Sequence, residues 1–358
     1  MTQRTLLAGP NRPIRLAVAA SALALSLLAQ AAAAEEEPEL LAPAPPQQRA
    51  AAQQPGSIIN LQVENDFFVS NDDGQYTHGM RLTWLSAPGD VPDFVEEGAD
   101  FLPLFHSEGD LRSSFSITQS MYTPDDINST NLVLDDRPYA GWLQLGIGLL
   151  ADSGQVLDKM ELSLGLVGPY SYAEDTQTIW HEIIKAPRPN GWDHQLDTEP
   201  TLNLFYERQL RIIAPFTLFG MEGDIVPHYG GALGNALTYG AAGATIRLGT
   251  DLVQDYGPPK IQPSLPGSGF FLRRDGVNGY IFAGVEGRAV ARNIFLDGNT
   301  FHSSHSVDRK VFVGDLQFGA VVTWGDVRLS LTHIVRTHEF EEEDQGDQFG
   351  AISLSLGF

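Results

Sequence analysis

Segments of about ten residues in which apolar side chains alternate with small or polar ones recur along this chain, a spacing typical of barrel strands. No other feature limits its fold so tightly. In KMELSLGL, Met160, Leu162, Leu164 and Leu166 share one face, and Glu161, Ser163 and Gly165 share the other. VFVGDLQFGAVVTW sets Phe312, Leu316, Phe318, Ala320, Val322 and Trp324 opposite Val313, Asp315, Gln317, Gly319 and Thr323. The closing AISLSLGF sets Ile352, Leu354, Leu356 and Phe358 against Ser353, Ser355 and Gly357. A period of two belongs to a β-strand whose two faces meet different surroundings. Similar segments start near Ser57, Thr77, Leu111, Tyr139, Asp158, Glu199, Ala214, Leu237, Val277, Arg309, Asp326 and Gln348.

Beyond the N-terminal residues no stretch has the roughly eighteen continuous apolar residues that a membrane helix needs. An even number of amphipathic strands instead fits a closed barrel in an outer membrane, where closure pairs every backbone group and leaves no edge. Trp84, Tyr139, Trp142, Tyr280 and Trp324 fall near strand ends, where interfacial aromatic girdles sit. A soluble β-sandwich also alternates, but a small or polar face with so few lysines makes a poor sandwich exterior. The terminal Phe358 resembles the signal by which outer-membrane barrels are recognised for assembly. The expected fold class is therefore all-β: a transmembrane antiparallel β-barrel of about 12 strands.

The first residues read as a processing signal. Arg4, Arg12 and Arg15 precede the apolar LAVAASALALSLLAQ, and AAAA ends at Ala34 before EEE, in the pattern of a cleaved secretory leader. The expected organisation is a signal peptide over 1–34, a disordered leader rich in Glu, Pro, Ala and Gln over 35–56, and an outer-membrane barrel domain over 57–358. The chain has no cysteine and a net charge of -23. The first excludes disulfides, zinc–thiolate sites and a cysteine nucleophile. The second argues against binding nucleic acid through its phosphates.

Two stretches carry candidate chemistry. In VENDFFVSNDDGQYTHGMRLTW, alternation puts Ile59, Leu61 and Val63 on the apolar face, with Asn60, Gln62, Glu64 and Asp66 opposite. Parity then places Asn65 on the lipid side, where a bare amide is costly without a partner. Asp66 offers the hard oxygen that Ca²⁺ prefers, while Asn71, Asp72, Asp73 and Gly74 read as an ordinary turn. In GLVGPYSYAEDTQTIWHEIIKAPRPNGW a helix is expected from about Ala173 to Ala186. There Gln177 and His181, four apart, share a face, and Ile179, Trp180, Ile183 and Ile184 supply apolar cover. HEIIK is not a zinc-protease helix, because Lys185 stands where the second histidine belongs. PGSGF at Pro266–Phe270 reads as a flexible turn, not a nucleophile elbow. His302 and His305 read as a polar loop or strand end, and the acidic Glu339–Asp347 run as a solvated loop.

Taken together, VENDFF, YTHG, DDRPYAGWL, GLVGPYSYAEDTQTIWHEIIKAP, GWDHQL, GGALGNALTYGAAGATIRLG, FAGVEGRAVARNIFLDGNTF and the terminal SLGF resemble the outer-membrane lipid A 3′-O-deacylase family. That family removes the 3′-linked acyloxyacyl group of lipid A. The likeness runs from about Ile58 to Phe358 and implies a twelve-stranded barrel with its active site between the wall and a loop helix. By motif match, the family's Asn-Asp pair falls on Asn65 and Asp66, its threonine on Thr77, and its glutamine and histidine on Gln177 and His181. The resemblance implies Ca²⁺-dependent ester hydrolysis, with His181 as general base, Asp66 as a metal ligand, and Asn65 and Thr77 orienting the site. The implied partners are lipid A within lipopolysaccharide and the outer membrane itself, with a monomeric barrel expected. One branch of the family has an acidic residue where Pro187 stands here, and its basic pair near the lipid A phosphates has no counterpart in PDDINSTNLVLDD. The alternatives are a non-catalytic barrel that is structural or binds lipopolysaccharide, and a small porin.

Overall fold

The computed structural model describes residues 56–358 apart from 69–74, 107–108, 212–214, 253–254, 262, 264–266 and 274. The expected signal peptide, all but the last residue of the expected leader, and the expected turn at Asn71–Gly74 lie outside the described residues.

One antiparallel sheet contains β1 (Ile58–Asn65), β2 (Gln75–Leu85), β3 (Asp110–Thr123), β4 (Ala140–Asp152), β5 (Val156–Val167) and β6 (Glu199–Leu210). It continues through β7 (Phe216–Leu218), β8 (Met221–Gly234), β9 (Leu237–Gly249), β10 (Val277–Asn293), β11 (Phe312–Trp324), β12 (Val327–Arg336) and β13 (Gln348–Gly357). β13 pairs with β1 from Ile58↔Gly357 to Asn65↔Gly350. β6 pairs directly with β8, so twelve strands close into a barrel. β7 forms only a short hairpin on β8, outside the ring. The strand expected from Ala214 therefore enters the barrel later, at Met221. The helices are α1 (Asp93–Ala99), α2 (Ala173–Ile184) and the single turn α3 (Ile294–Asp297). No described helix is long and apolar enough to cross a membrane.

The alternation has its expected meaning. Leu145 and Ile147 on β4 and Leu162 and Leu164 on β5 are exposed on the outer wall, while Asn60, Gln62 and Glu64 of β1 are buried on the inner one. The aromatic girdle is only partly as expected. Trp324 is exposed and Trp84 stacks on Phe115 with ring centroids 5.9 Å apart. Trp142 and Tyr280 instead point inward, Trp142 against Phe295 and Tyr280 with its hydroxyl donating to Asp255. Tyr139 stacks on Trp192. Nearness to a strand end does not decide which face a ring takes; parity does.

The lumen is filled. Described residues of the β9–β10 connection turn back into it, where Asp255 accepts from Arg247 at 2.8 Å and from Arg328 at 2.9 Å. Asn60 Nδ2 donates to the Gly269 carbonyl at 2.8 Å, and Ile261 N donates to Glu64 at 3.0 Å. Tyr256, Phe270 and Phe271 form an apolar cluster with Ile58 and Leu85. Ser268 is fully buried here, so the described part of PGSGF, residues 267–270, belongs to a plug and not to a flexible turn. Nearer the opposite rim, Asp315 is shared between Arg288 and Arg336 at 2.8 to 3.1 Å. Buried charges persist only when paired in this way. Beside Arg81, Lys159, Glu161 and Glu207 lies a cavity of about 70 Å³.

Candidate functional site

Residues paired directly across antiparallel strands project from the same face. At the rim where β1 ends, one such outward row runs Gly350, Asn65, His78, Met121, Gly141 across β13, β1, β2, β3 and β4. Asn65 is therefore on the lipid side, as its parity demands, yet it is buried. Its Nδ2 donates to the Thr77 carbonyl at 2.7 Å and lies 3.4 Å from His78 Nδ1. The β2–β3 register shifts between Gln75 and His78. Such bulges re-aim side chains. Here Tyr76 enters a ring cluster with Tyr122 and Phe349, and the Thr77 hydroxyl lies 2.7 Å from that of Thr123. Alternation ends at Asn65. Asp66 opens a turn of 3-10 helix, so strand parity no longer assigns it a face, and it is buried against the end of the wall.

Over the β3–β4 end of this row lies α2, whose buried stripe is largely polar. Ala173, Gln177 and His181, spaced by four, are its buried stripe. Ile179, Trp180 and Ile183 are exposed. The apolar residues expected to cover the site thus face away from the wall, as they should where the surroundings are lipid. Ala173 packs with Met121, Ile127, Tyr139 and Trp192. A Cβ on Gly141 would fall within 3.0 Å of both Ala173 Cβ and Ser171 Oγ, so only glycine there lets the helix start so close to the wall. Gln119 of β3 fixes the approach by donating to the Ser171 carbonyl at 2.7 Å.

Within the stripe, Trp192 Nε1 donates to Gln177 Oε1 at 2.8 Å, while the buried Gln177 Nε2 has no hydrogen-bond partner among the described residues. His181 Nδ1 bonds to the Pro187 carbonyl. A carbonyl can only accept, so Nδ1 carries the proton and the neutral ring has its lone pair on Nε2. Pro187, where one branch of the family has an acid, thus orients the imidazole through its backbone.

Five sequence candidates therefore form two adjoining groups. Asn65, Asp66 and Thr77 belong to the wall; Gln177 and His181 belong to the helix above it. Met121, the row-mate of Asn65 and packing partner of Ala173 and Trp192, belongs to both. His78 and Trp192 went unnoticed in the sequence. Parity could have found His78, which opposes Asn65, but nothing local marks Trp192 as the partner of Gln177. His302 and His305 take no part: His305 Nε2 contacts the Asp136 carbonyl.

The acidic run beside the site is solvated only in part, at Glu341, Glu342 and Asp344. Glu339, Phe340, Glu343 and Asp347 are all buried. Arg137 Nη2 donates to Glu339 at 3.0 Å, and Asp347 accepts from the Tyr76 amide at 3.3 Å, tying this loop to the strand that carries Thr77. Burial favours the proton on Glu343, pushed up to about 8, and on Asp347, pushed up to about 7. Glu339 is equally buried, but Arg336 and Arg137 more than offset that burial and hold it below the usual range.

The family model described as outer membrane protein LpxR matches residues 18–358. The solved structure of LpxR from Salmonella typhimurium aligns with a TM-score of 0.67 at 22% identity, covering 84% of this chain and 100% of that one. At that identity the likeness speaks for the fold. The β domain of the Bordetella autotransporter BrkA aligns with a TM-score of 0.40 at 10% identity, over 86% of this chain and 100% of that one. A comparison with curated proteins gives no match.

Proposed function

The chain belongs to the outer membrane protein LpxR family, and from that membership we propose that it is an ester hydrolase removing the 3′-linked acyloxyacyl group of lipid A. One observation carries the reading. On the lipid side of a barrel wall, where an unsatisfied polar group costs several kcal/mol, the chain buries Asn65 on the wall and Gln177 and His181 on the buried stripe of a helix packed against that wall. Polar groups so placed would serve a lipid at the wall and not a solute in the lumen.

In this reading His181 is the general base. With Nδ1 donating to Pro187, Nε2 accepts the proton of a water as that water attacks the ester carbonyl, and returns it to the leaving alkoxide. The Gln177 Nε2 group, held through its own Oε1 by Trp192, supplies a donor for the oxyanion. Asn65 and Thr77, bonded to each other, orient substrate and water. Asp66 is the fitting charged ligand for Ca²⁺: a buried carboxylate beside amide and backbone oxygens, the hard donors that ion takes. Among the described residues no three His, Asp or Glu side chains group for a metal, so carbonyl oxygens and water would complete its shell. The ion would polarise the ester carbonyl. Export would remove residues 1–34 and leave a monomeric barrel in the outer membrane, with the site at the outer leaflet.

Mass spectrometry of lipid A from cells expressing the chain tests the proposal. The wild type should yield 3′-deacylated lipid A, and His181→Ala should not, while its barrel still shows heat-modifiable migration. Unmodified lipid A from wild-type cells and from purified protein supplied with Ca²⁺ would leave a non-catalytic barrel as the reading.

A further inference from the structure

We propose that the outer wall of β10–β13 holds the acyl chain attached to the scissile ester, in a groove that begins at the site. The inference rests on the deacylase reading and adds to it the surface that measures the chain.

A groove of about 720 Å³ lies on this side of Asn65, opposite to α2. Ligand pockets of ~300–1,000 Å³ with mostly apolar linings are the usual size for a single small ligand. Its upper edge continues the row of the site: Asn65 pairs with Gly350, Gly350 with His333, and His333 with Phe318. The next outward row, two residues along each strand, is Ile352, Leu331, Ala320 and Ile281. Depth comes from side-chain size. Gly350 and Ala320 are low points between Leu331 and the Phe318 ring, which stacks on His333 with centroids 4.9 Å apart. Phe68, two residues beyond Asp66, closes the end nearest the site. On β4 and β5, by contrast, Leu145, Ile147, Leu162 and Leu164 stand side by side with no small residue between them in the outward rows.

Continuity identifies the occupant. Gly350 lines the groove and is the cross-strand neighbour of Asn65, and Phe68 shares its 3-10 turn with Asp66. Strands lie about 4.8 Å apart, so His333 is roughly 10 Å from Asn65 around the wall, within reach of a chain whose ester sits at the site. No charged residue lines the groove. His333, an imidazole on a lipid-facing wall, presents its ring face as part of the apolar surface. The surface suits a methylene chain, and its finite extent makes chain length the property it reads.

The test uses full-length protein in mixed micelles and two lipid A preparations, with long and with short 3′ chains. Ala320→Trp fills the low point while keeping an apolar residue toward lipid, and Leu164→Trp places the same ring on the wall of β5. Ala320→Leu is the milder second variant should the tryptophan impair heat-modifiable assembly. Independently of activity, lipid A with a diazirine in its 3′ chain is photolysed with each protein, against phosphatidylethanolamine with a diazirine acyl chain. The groove predicts at least a fivefold fall in the long-to-short rate ratio for Ala320→Trp and none for Leu164→Trp. It also predicts lipid A labelling concentrated on β11–β13 and lost in Ala320→Trp. An active wild type with an unchanged ratio in Ala320→Trp, and labelling spread evenly around the barrel, overturns the groove alone. A wild type that releases no acyl chain, yet shows labelling that Ala320→Trp abolishes, overturns the hydrolase reading and upholds the groove.

Discussion

Gly141→Ala is the sharpest perturbation of the site, because it touches none of the polar residues and acts only on distance. A new Cβ would sit inside 3.0 Å of Ala173 Cβ, where ordinary contact begins at 3.4 Å or more. Ser171 Oγ can rotate away, but Ala173 is the first residue of α2 and has no rotamer to change. The start of the helix must recede, carrying Gln177 and His181 on the same stripe. A misplacement of about 1 Å can cost a catalytic constellation ~10²-fold in rate. Gly141→Ala should therefore lower kcat/KM for acyl release from lipid A about a hundredfold, with normal barrel assembly on heat-modifiability gels. Adding Ala173→Gly removes the stiffer of the two clashes and should restore at least a tenth of the lost rate. If Gly141→Ala works at the wild-type rate, the helix need not lie against the wall, and the roles given to Gln177 and His181 fail with it.

Other expectations follow from the same geometry. Trp192→Phe keeps the ring contact with Tyr139 but drops the bond to Gln177, freeing the amide to turn; kcat should fall about tenfold with KM little changed, and a selective rise in KM would refute the orienting role. Asp66→Asn should lower the affinity for Ca²⁺ at least tenfold by calorimetry in detergent, since the ion would lose its one charged side-chain ligand; unchanged affinity removes Asp66 from the ion. The loop from 337 to 347 should loosen as pH rises. Glu343 and Asp347 have raised folded-state values, about 8 and about 7, so their stabilising contribution is complete below their ordinary range and is lost as pH climbs through those values. For Glu343, raised from 4.5 to about 8, the limit at high pH is roughly 5 kcal/mol, at 1.36 kcal/mol per pH unit. Hydrogen exchange corrected for intrinsic rates should show this loop opening between pH 6 and 8.5, and Glu343→Gln should flatten the change; equal protection at both pH values refutes it.

The barrel was legible because lipid and a polar lumen impose opposite demands on neighbouring residues, which writes the period of two directly into KMELSLGL and AISLSLGF. The same logic placed Asn65 on the wrong side for an amide and so marked the site. Two things escaped it. Burial of Glu339 depends on Arg336, three residues before it, and on Arg137, 202 residues away in the chain, and no local pattern announces that distant cation. The plug is built from a connection whose glycines and prolines look like any loop, and it is buried only because Arg247 and Arg328 reach for Asp255. The helix was legible too, with Gln177 and His181 on one face and apolar residues as cover, and its polarity is inverted because the solvent on its far side is lipid.

That inversion bears on how the site works. A barrel wall is a single layer of backbone, so a residue on its outer face can be braced only from within the lumen or by something laid over it. Both supports are present. Beneath the outward row, Glu64 accepts from the plug at Ile261 and the Tyr76 amide is held by Asp347, which fixes the strands carrying Asn65 and Thr77. Above it, α2 turns Gln177 and His181 toward the wall and exposes Ile179, Trp180 and Ile183, with Glu174, Asp175 and Glu182 also at its surface. A lipid moving sideways in the leaflet would thus meet the apolar residues of the helix and an apolar wall, with the buried amides and imidazole in the seam between them. With the lumen filled, the wall has little room to yield inward, so a chain entering the seam must displace the helix or run along the wall toward β13. Substrate selection then depends on the shape of the outer surface, and activity on how firmly Gly141 and Trp192 hold the helix to it.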